Sequence, residues 1–122
     1  MRNIVAKVSL LVAGLVWAQA GTSLPAQEAY KRWKENPEGI ILLDVRTPQE
    51  YQSGHLRGAQ NMNLYADFAK AIQQLPKDKL YFLYCASGRR SAQATEIMRQ
   101  QGFKAYNIGG YDSAAQAGFP TE

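Results

Sequence analysis

The sequence predicts an α/β fold, a mostly parallel central sheet with helices on both faces, on three observations. Two short runs, Ile40-Ile41-Leu42-Leu43-Asp44-Val45 and Leu80-Tyr81-Phe82-Leu83-Tyr84, are apolar almost throughout rather than alternating, the pattern of strands covered on both sides. Segments with helical periodicity lie between and after them, and glycine or proline marks the borders. Strands separated by helices of this length pair in parallel. With 122 residues and 46% hydrophobic content, the chain has room for one domain around a single core.

The first twenty residues stand outside that fold. Arg2 and Lys7 give a positive start, Val8 to Trp17 an apolar stretch, and Ala18-Gln19-Ala20 a small-x-small cleavage site. The apolar stretch is shorter than the roughly 20 residues that span a bilayer. Residues 1–20 are therefore expected to be a cleaved secretory signal, residues 21–122 a single domain, and the protein periplasmic or otherwise exported without a stable membrane anchor. An uncleaved anchor or a buried N-terminal helix is the alternative.

In the domain itself, Ser23 is a plausible N-cap with Pro25 in the first turn of a helix. Leu24, Ala29, Tyr30 and Trp33 fall at helical spacing, Trp33 reads as a core residue, and Asn36-Pro37-Glu38-Gly39 stops the run. After the strand over 40–45 comes a turn-rich segment, Arg46 to Gly58, then an extended piece near Ala59 to Asn63. An amphipathic stretch from Tyr65 to Leu75 ends at Pro76. The second strand ends at Cys85. Ser91 to Gln101 reads as a helix with Ala94, Ile97, Met98 and Gln101 on one stripe and Gly102 as its stop. Ala105-Tyr106-Asn107-Ile108 makes a last strand, followed by Gly109-Gly110 and a final helical turn or two to Gly118.

Charge and cysteine count narrow the function. The formal net charge is +4, and loss of Arg2 and Lys7 with the signal leaves +2. That charge is small and no basic run exceeds two residues, so a nucleic-acid-binding face is not supported. A lone cysteine in an exported chain has no internal disulfide partner. On its own it could be only a small buried hydrophobe.

Its surroundings point to chemistry. In a parallel sheet, ligands bind beyond the carboxyl ends of the strands, and Cys85-Ala86-Ser87-Gly88-Arg89-Arg90-Ser91 joins such an end to a helix start. The small residues Ala86, Ser87 and Gly88 let the backbone curl so that successive N–H groups converge on the sulfur, and Arg89 and Arg90 flank the bowl. Helix N-terminal donors with cationic neighbours favour thiolate over thiol, so Cys85 is expected to ionise below the ordinary value of about 8.5. Only the thiolate attacks a sulfane sulfur or another electrophile at a useful rate.

This loop and its flanks resemble single-domain rhodaneses, the thiosulfate and persulfide sulfurtransferases, over nearly all of residues 21–122. Asp44-Val45-Arg46-Thr47-Pro48-Gln49-Glu50-Tyr51 with Gly54-His55-Leu56-Arg57-Gly58-Ala59 and Asn61 is similar to the family's N-terminal signature. Tyr84-Cys85 with Gly88-Arg89-Arg90-Ser91 resembles its catalytic loop, and Gly109-Gly110-Tyr111 with Gly118-Phe119-Pro120 its C-terminal signature. The exported one-domain form is similar to the periplasmic rhodaneses of the phage-shock type.

The resemblance implies a thiosulfate sulfurtransferase in which Cys85 accepts sulfur as a persulfide, cradled by the amides of residues 86 to 90. Arg89 would contact an anionic donor, and for Arg90 donor binding and bracing of the loop, by a salt bridge to Glu50 or Asp44, are both open. Asp44 and Arg46, with Ser91, are supporting residues, the first two read as an internal ion pair that fixes their loop. His55, in its Gly-His-Leu-Arg-Gly turn, reads as a structural hydrogen-bonder rather than a general base. One Cys and one His make no metal site, and no cofactor is implied. The acceptor would be cyanide, a small thiol or a partner's cysteine, since the chain offers no resolving thiol.

One position departs from the family. A tryptophan commonly stands three residues after the position of Tyr111, where this chain has Ala114, which widens a pocket or alters packing. Two rivals remain. A cysteine phosphatase or arsenate reductase would have arginine at position 91, after five intervening residues, and the chain has Ser91 with Arg90 one place early. A non-catalytic binding module of the same fold is expected to lack the nucleophile.

Overall fold

The computed structural model describes residues 21–122, so the expected signal sequence lies outside the described residues. Among the described residues, four parallel strands form one sheet in the order β2-β1-β3-β4. These are β1 (Ile40–Asp44), β2 (Gln60–Asn61), β3 (Leu80–Cys85) and β4 (Lys104–Gly110). The helices are α1 (Ala26–Glu35), α2 (Pro48–Gln52), α3 (Phe68–Ala71, continued by a 3-10 turn over Ile72–Gln74), α4 (Arg89–Gln100) and α5 (Tyr111–Ala117). No helix among the described residues is long and apolar enough to cross a membrane.

The apolar runs at β1 and β3 are explained by two cores, one on each side of the sheet. Leu43, Tyr81, Leu83 and Cys85 face Phe68, Ile72, Ala94 and Met98 of α3 and α4. Leu42, Phe82, Tyr84 and Ile108 face Ala29 of α1, Ala114 of α5 and Phe119. Because strand side chains alternate, the run needs apolar residues at every position to satisfy both layers. Ala114 is fully buried on the α1/α5 side, away from the face that carries Cys85, with Tyr30, Trp33 and Phe119 packed in the same cluster. The departure at position 114 is therefore one of packing.

Three local readings of the sequence are corrected. Helix α1 begins at Ala26 behind Pro25, with no side-chain cap. Ser23 instead bridges Asn107 in parallel, with Leu24 N–H on Asn107 O at 2.9 Å and Asn107 N–H on Thr22 O at 2.9 Å. The sheet edge outcompetes the cap because it forms two backbone hydrogen bonds at once. Within the segment read as turns, α2 forms on a capping box: Thr47 Oγ1 accepts from Glu50 N–H and Glu50 Oε1 accepts from Thr47 N–H. Helix α4 starts at Arg89, two residues earlier than Ser91, and buries Ser91 and Thr95 beside Ala94 and Met98.

The order β2-β1-β3-β4 positions the site. The chain leaves β1 toward one edge and β3 toward the other, so a crevice opens beyond the carboxyl ends of these two strands. Cys85 is the last residue of β3, at that crevice.

Candidate active site

Strand β3 delivers Cys85 directly into the loop that begins α4. Gly88 takes a left-handed conformation (φ +94°) and stands at the N-cap, where no side chain satisfies the first-turn amides. The cysteine sulfur takes that place. Gly88 N–H donates to Sγ at 3.0 Å and Ser91 Oγ lies 3.4 Å away, and the neighbouring amides of Ser91 and Ser87 add to the field that favours the thiolate. Burial pushes the Cys85 thiol up, but these donors, led by the Ser91 hydroxyl, outweigh it and bring the thiol below its ordinary value.

In one respect the site differs from the open bowl that the sequence predicts. Cys85 has 0% exposure and belongs to the core on the α3/α4 side. Ala86, Ser87 and Arg89 are exposed above it, and Gly88 and Arg90 are half-buried. The donors do point inward, because the sulfur caps the helix, and that same closeness covers it.

The two arginines divide. Arg90 is held by Glu50 through a paired contact, Nη1 to Oε1 at 2.7 Å and Nη2 to Oε2 at 3.0 Å, which ties α4 to α2. That hydrogen-bonded pairing holds the Glu50 carboxyl down to about 2 and raises the Arg90 guanidinium. Arg89 is exposed and has no ion pair among the described residues.

Asp44 and Arg46 are brought to the same end of the sheet but not to the sulfur. Asp44 is in register with Tyr84, on the face opposite Cys85. Both carboxylate oxygens of Asp44 accept from Arg46, at 2.9 Å from Nε and 2.7 Å from Nη2, and Arg46 also donates to Gly54 O at 2.6 Å. The guanidinium lies over the Tyr84 and Tyr111 rings, 5.6 and 4.7 Å from their centroids. The pair is buried and braces the β1 loop, as the sequence reading holds. His55 is similarly engaged. Its ring stacks on Tyr51, and Nδ1 lies 2.8 Å from Tyr51 O, which can only accept, so that nitrogen carries the proton.

The residue that sequence reasoning missed is Asn107. Its Oδ1 accepts from Ser91 Oγ at 2.7 Å and from Gly109 N–H at 3.0 Å, while Nδ2 donates to Gly88 O at 3.0 Å. One amide thus ties the cysteine loop, α4 and β4 together. The available signal was a polar residue inside the apolar run that precedes Gly109-Gly110. Those glycines matter for a related reason: a Cβ on Gly110 would lie 2.4 Å from Ala86 O, and one on Gly88 3.2 Å from Gly109 Cα. Loop and strand pack backbone to backbone.

The Rhodanese-like domain profile matches residues 26–117, which includes the cysteine loop, Asn107 and both glycines. This chain belongs to the rhodanese-like family. Among solved rhodanese-like structures it is similar to a rhodanese-related protein from Thermoplasma volcanium, at a TM-score of 0.70 and 30% identity, covering 83% of this chain and 97% of that one. It is also similar to the rhodanese-like domain of Alr3790 from Anabaena sp., at a TM-score of 0.71 and 27% identity, covering 83% of this chain and 78% of that one. Curated relatives include YrkF of Bacillus subtilis (strain 168), named as a candidate sulfur carrier protein, 33% identical over 71% of this chain and 48% of that protein. Another is a tRNA sulfurtransferase of Pyrobaculum aerophilum, 36% identical over 59% of this chain and 15% of that protein. The matched region is thus half or less of those longer proteins. A role in sulfur transfer is what rhodanese-like membership and these relatives support.

Proposed function

We propose that the protein is a thiosulfate-type sulfurtransferase that carries sulfur on Cys85 as a persulfide. The observation that carries this reading is the sulfur standing at the start of α4, with Gly88 N–H donating to it at 3.0 Å and Ser91 Oγ 3.4 Å away. A thiolate held in this way is a nucleophile, and the same donors suit the negative charge of a persulfide. The Cys85 thiolate attacks the outer sulfur of thiosulfate, the sulfur–sulfur bond of the donor breaks, and sulfite leaves with the electron pair. A thiophilic acceptor then attacks the terminal sulfur and Cys85 departs as thiolate. The acceptor is cyanide, a small thiol or a partner's cysteine, because Cys85 is the chain's only cysteine.

Arg89, exposed and unpaired by any acid among the described residues, attracts the anionic donor at the rim, and Ala86 with Ser87 lets it approach. Arg90 is committed to Glu50 and braces. Because Sγ is covered, this reading requires the loop rim to open before each transfer. We further propose that residues 1–20 direct export and are removed after Ala20, which places the reaction outside the cytoplasm.

Intact mass spectrometry after thiosulfate treatment tests both points. The expected result is a gain of one sulfur atom, reversed by cyanide and absent in Cys85→Ser, on a protein whose mass begins at Gly21. No adduct on the folded wild-type protein, or Cys85-dependent hydrolysis of an aryl phosphate in its place, rejects the sulfurtransferase reading. A mass that retains residues 1–20 rejects the processing.

A further inference from the structure

We infer that Asn107 is a positioning residue for the reactive sulfur: it takes the hydroxyl hydrogen of Ser91 and clamps the carbonyl of Gly88, and so sets how firmly the loop holds the Cys85 thiolate. This rests on the proposed role of Cys85, but not on the identity of the sulfur donor.

The hydrogen-bond inventory of the amide forces the assignment. Nδ2 donates to Gly88 O, and Oδ1, an acceptor only, receives Gly109 N–H. Ser91 Oγ lies 2.7 Å from that same Oδ1 and 3.4 Å from Cys85 Sγ, and it has one hydrogen to give. The shorter contact takes it, so the resting hydroxyl points at Asn107 and offers a lone pair toward the thiol. When Cys85 ionises, the hydroxyl hydrogen can turn to the sulfur while Gly109 N–H still satisfies Oδ1. Ser91 therefore has two acceptors for one proton, and Asn107 sets the competition. Through Gly88 O, Asn107 also fixes the left-handed glycine whose own N–H lies on the sulfur.

Other charges around the sulfur belong to different elements. Arg89 and Arg90 stand on α4, with Arg90 paired to Glu50 of α2 and near Tyr65 of the β2–α3 connection. Asp44 and Arg46 pair behind β1, on the opposite face. From β4, the side chain that hydrogen-bonds the loop is the neutral amide of Asn107.

The test is the pH dependence of iodoacetamide alkylation of Cys85 in the full chain. In Asn107→Asp a carboxylate adds negative charge, grips the Ser91 hydroxyl and cannot donate to Gly88 O, so the midpoint is expected to rise by about one pH unit or more. In Asn107→Ala the Ser91 hydroxyl is left with the sulfur as its acceptor, so adding Ser91→Ala to it raises the midpoint by more than Ser91→Ala does in the wild-type background. Ser91→Ala raises it in the wild-type background and adds little to Asn107→Asp, because there the hydroxyl is already sequestered. Thermal unfolding identifies the variants that fold, and either Asn107 variant suffices. An unmoved or lowered midpoint in folded Asn107→Asp, or a Ser91→Ala effect in folded Asn107→Ala no larger than in wild type, overturns the inference. Persulfide formation read separately distinguishes the two claims: a shifted midpoint without any persulfide in wild type leaves Asn107 in place and removes the sulfurtransferase reading.

Discussion

At Cys85 two opposing effects meet on one atom. Full burial favours the neutral thiol, and the Ser91 hydroxyl with the amides of Ser91, Ser87 and Gly88 favours the thiolate; the donors win. Thiolate is thus present at lower pH than for a free cysteine, and the alkylation rate of the folded protein is expected to reach half its plateau below about 8.5. A stopped-flow or mass-spectrometric rate profile from pH 5 to 10 checks this, and in urea the midpoint should return to the ordinary value. The sequence made this legible, since Cys85 and three small or polar residues before an arginine pair announce a sulfur at a helix start. Asn107 was not legible in the same way. Its importance comes from two contacts 16 and 19 residues back along the chain, and nothing local to Tyr106-Asn107-Ile108 encodes them.

At the scale of elements, the cysteine loop is shaped as much by β4 as by its own residues. Ala86 O lies so close to Gly110 that a methyl there would sit 2.4 Å from it, against backbone that cannot swing aside. Gly110→Ala is therefore expected to push the loop off β4, costing about 1–3 kcal/mol by chemical denaturation and lowering the rate of persulfide formation at least about tenfold, equivalent to about 1.4 kcal/mol. Gly58→Ala is the matched control. Its φ of +81° is also left-handed, but nothing lies within 4 Å of the added carbon, so it carries only a backbone cost of about 1 kcal/mol and leaves sulfur loading intact. The paired glycines at 109–110 were visible in the sequence as punctuation, whereas their contact with residue 86 was not. The capping box of α2 is the opposite case: Thr47-Pro48-Gln49-Glu50 carries the whole local signal, and the surrounding turn residues concealed a helix only five residues long.

For the molecule as a whole, the Glu50–Arg90 pair joins the β1 side of the crevice to the β3 side, so it links two halves that the sheet alone leaves divergent. Glu50 ionises at about 2 in the fold, below its ordinary value of 4.5. A depressed carboxylate contributes its full stabilisation above the unfolded value and loses it as pH falls through the folded one. Glu50→Gln keeps an acceptor for the capping box and removes the ion pair. It should cost about 1 kcal/mol or less at pH 7, the carboxylate being partly exposed to solvent. Urea denaturation at pH 7, 4 and 2.5 should show that difference shrinking as the wild-type carboxylate protonates. Local sequence was enough for the layered α/β fold, the two apolar central strands, the lone cysteine at a strand end and the small-residue loop before a helix. Those are short-range properties, since periodicity, capping and turn chemistry act over a few neighbours. Tertiary structure decided which arginine braces, that Asp44 and Arg46 lie across the sheet from the sulfur, that Cys85 is covered, and that Asn107 holds the loop. Each of these depends on strand register and on which face a side chain takes, quantities fixed only when distant segments pack.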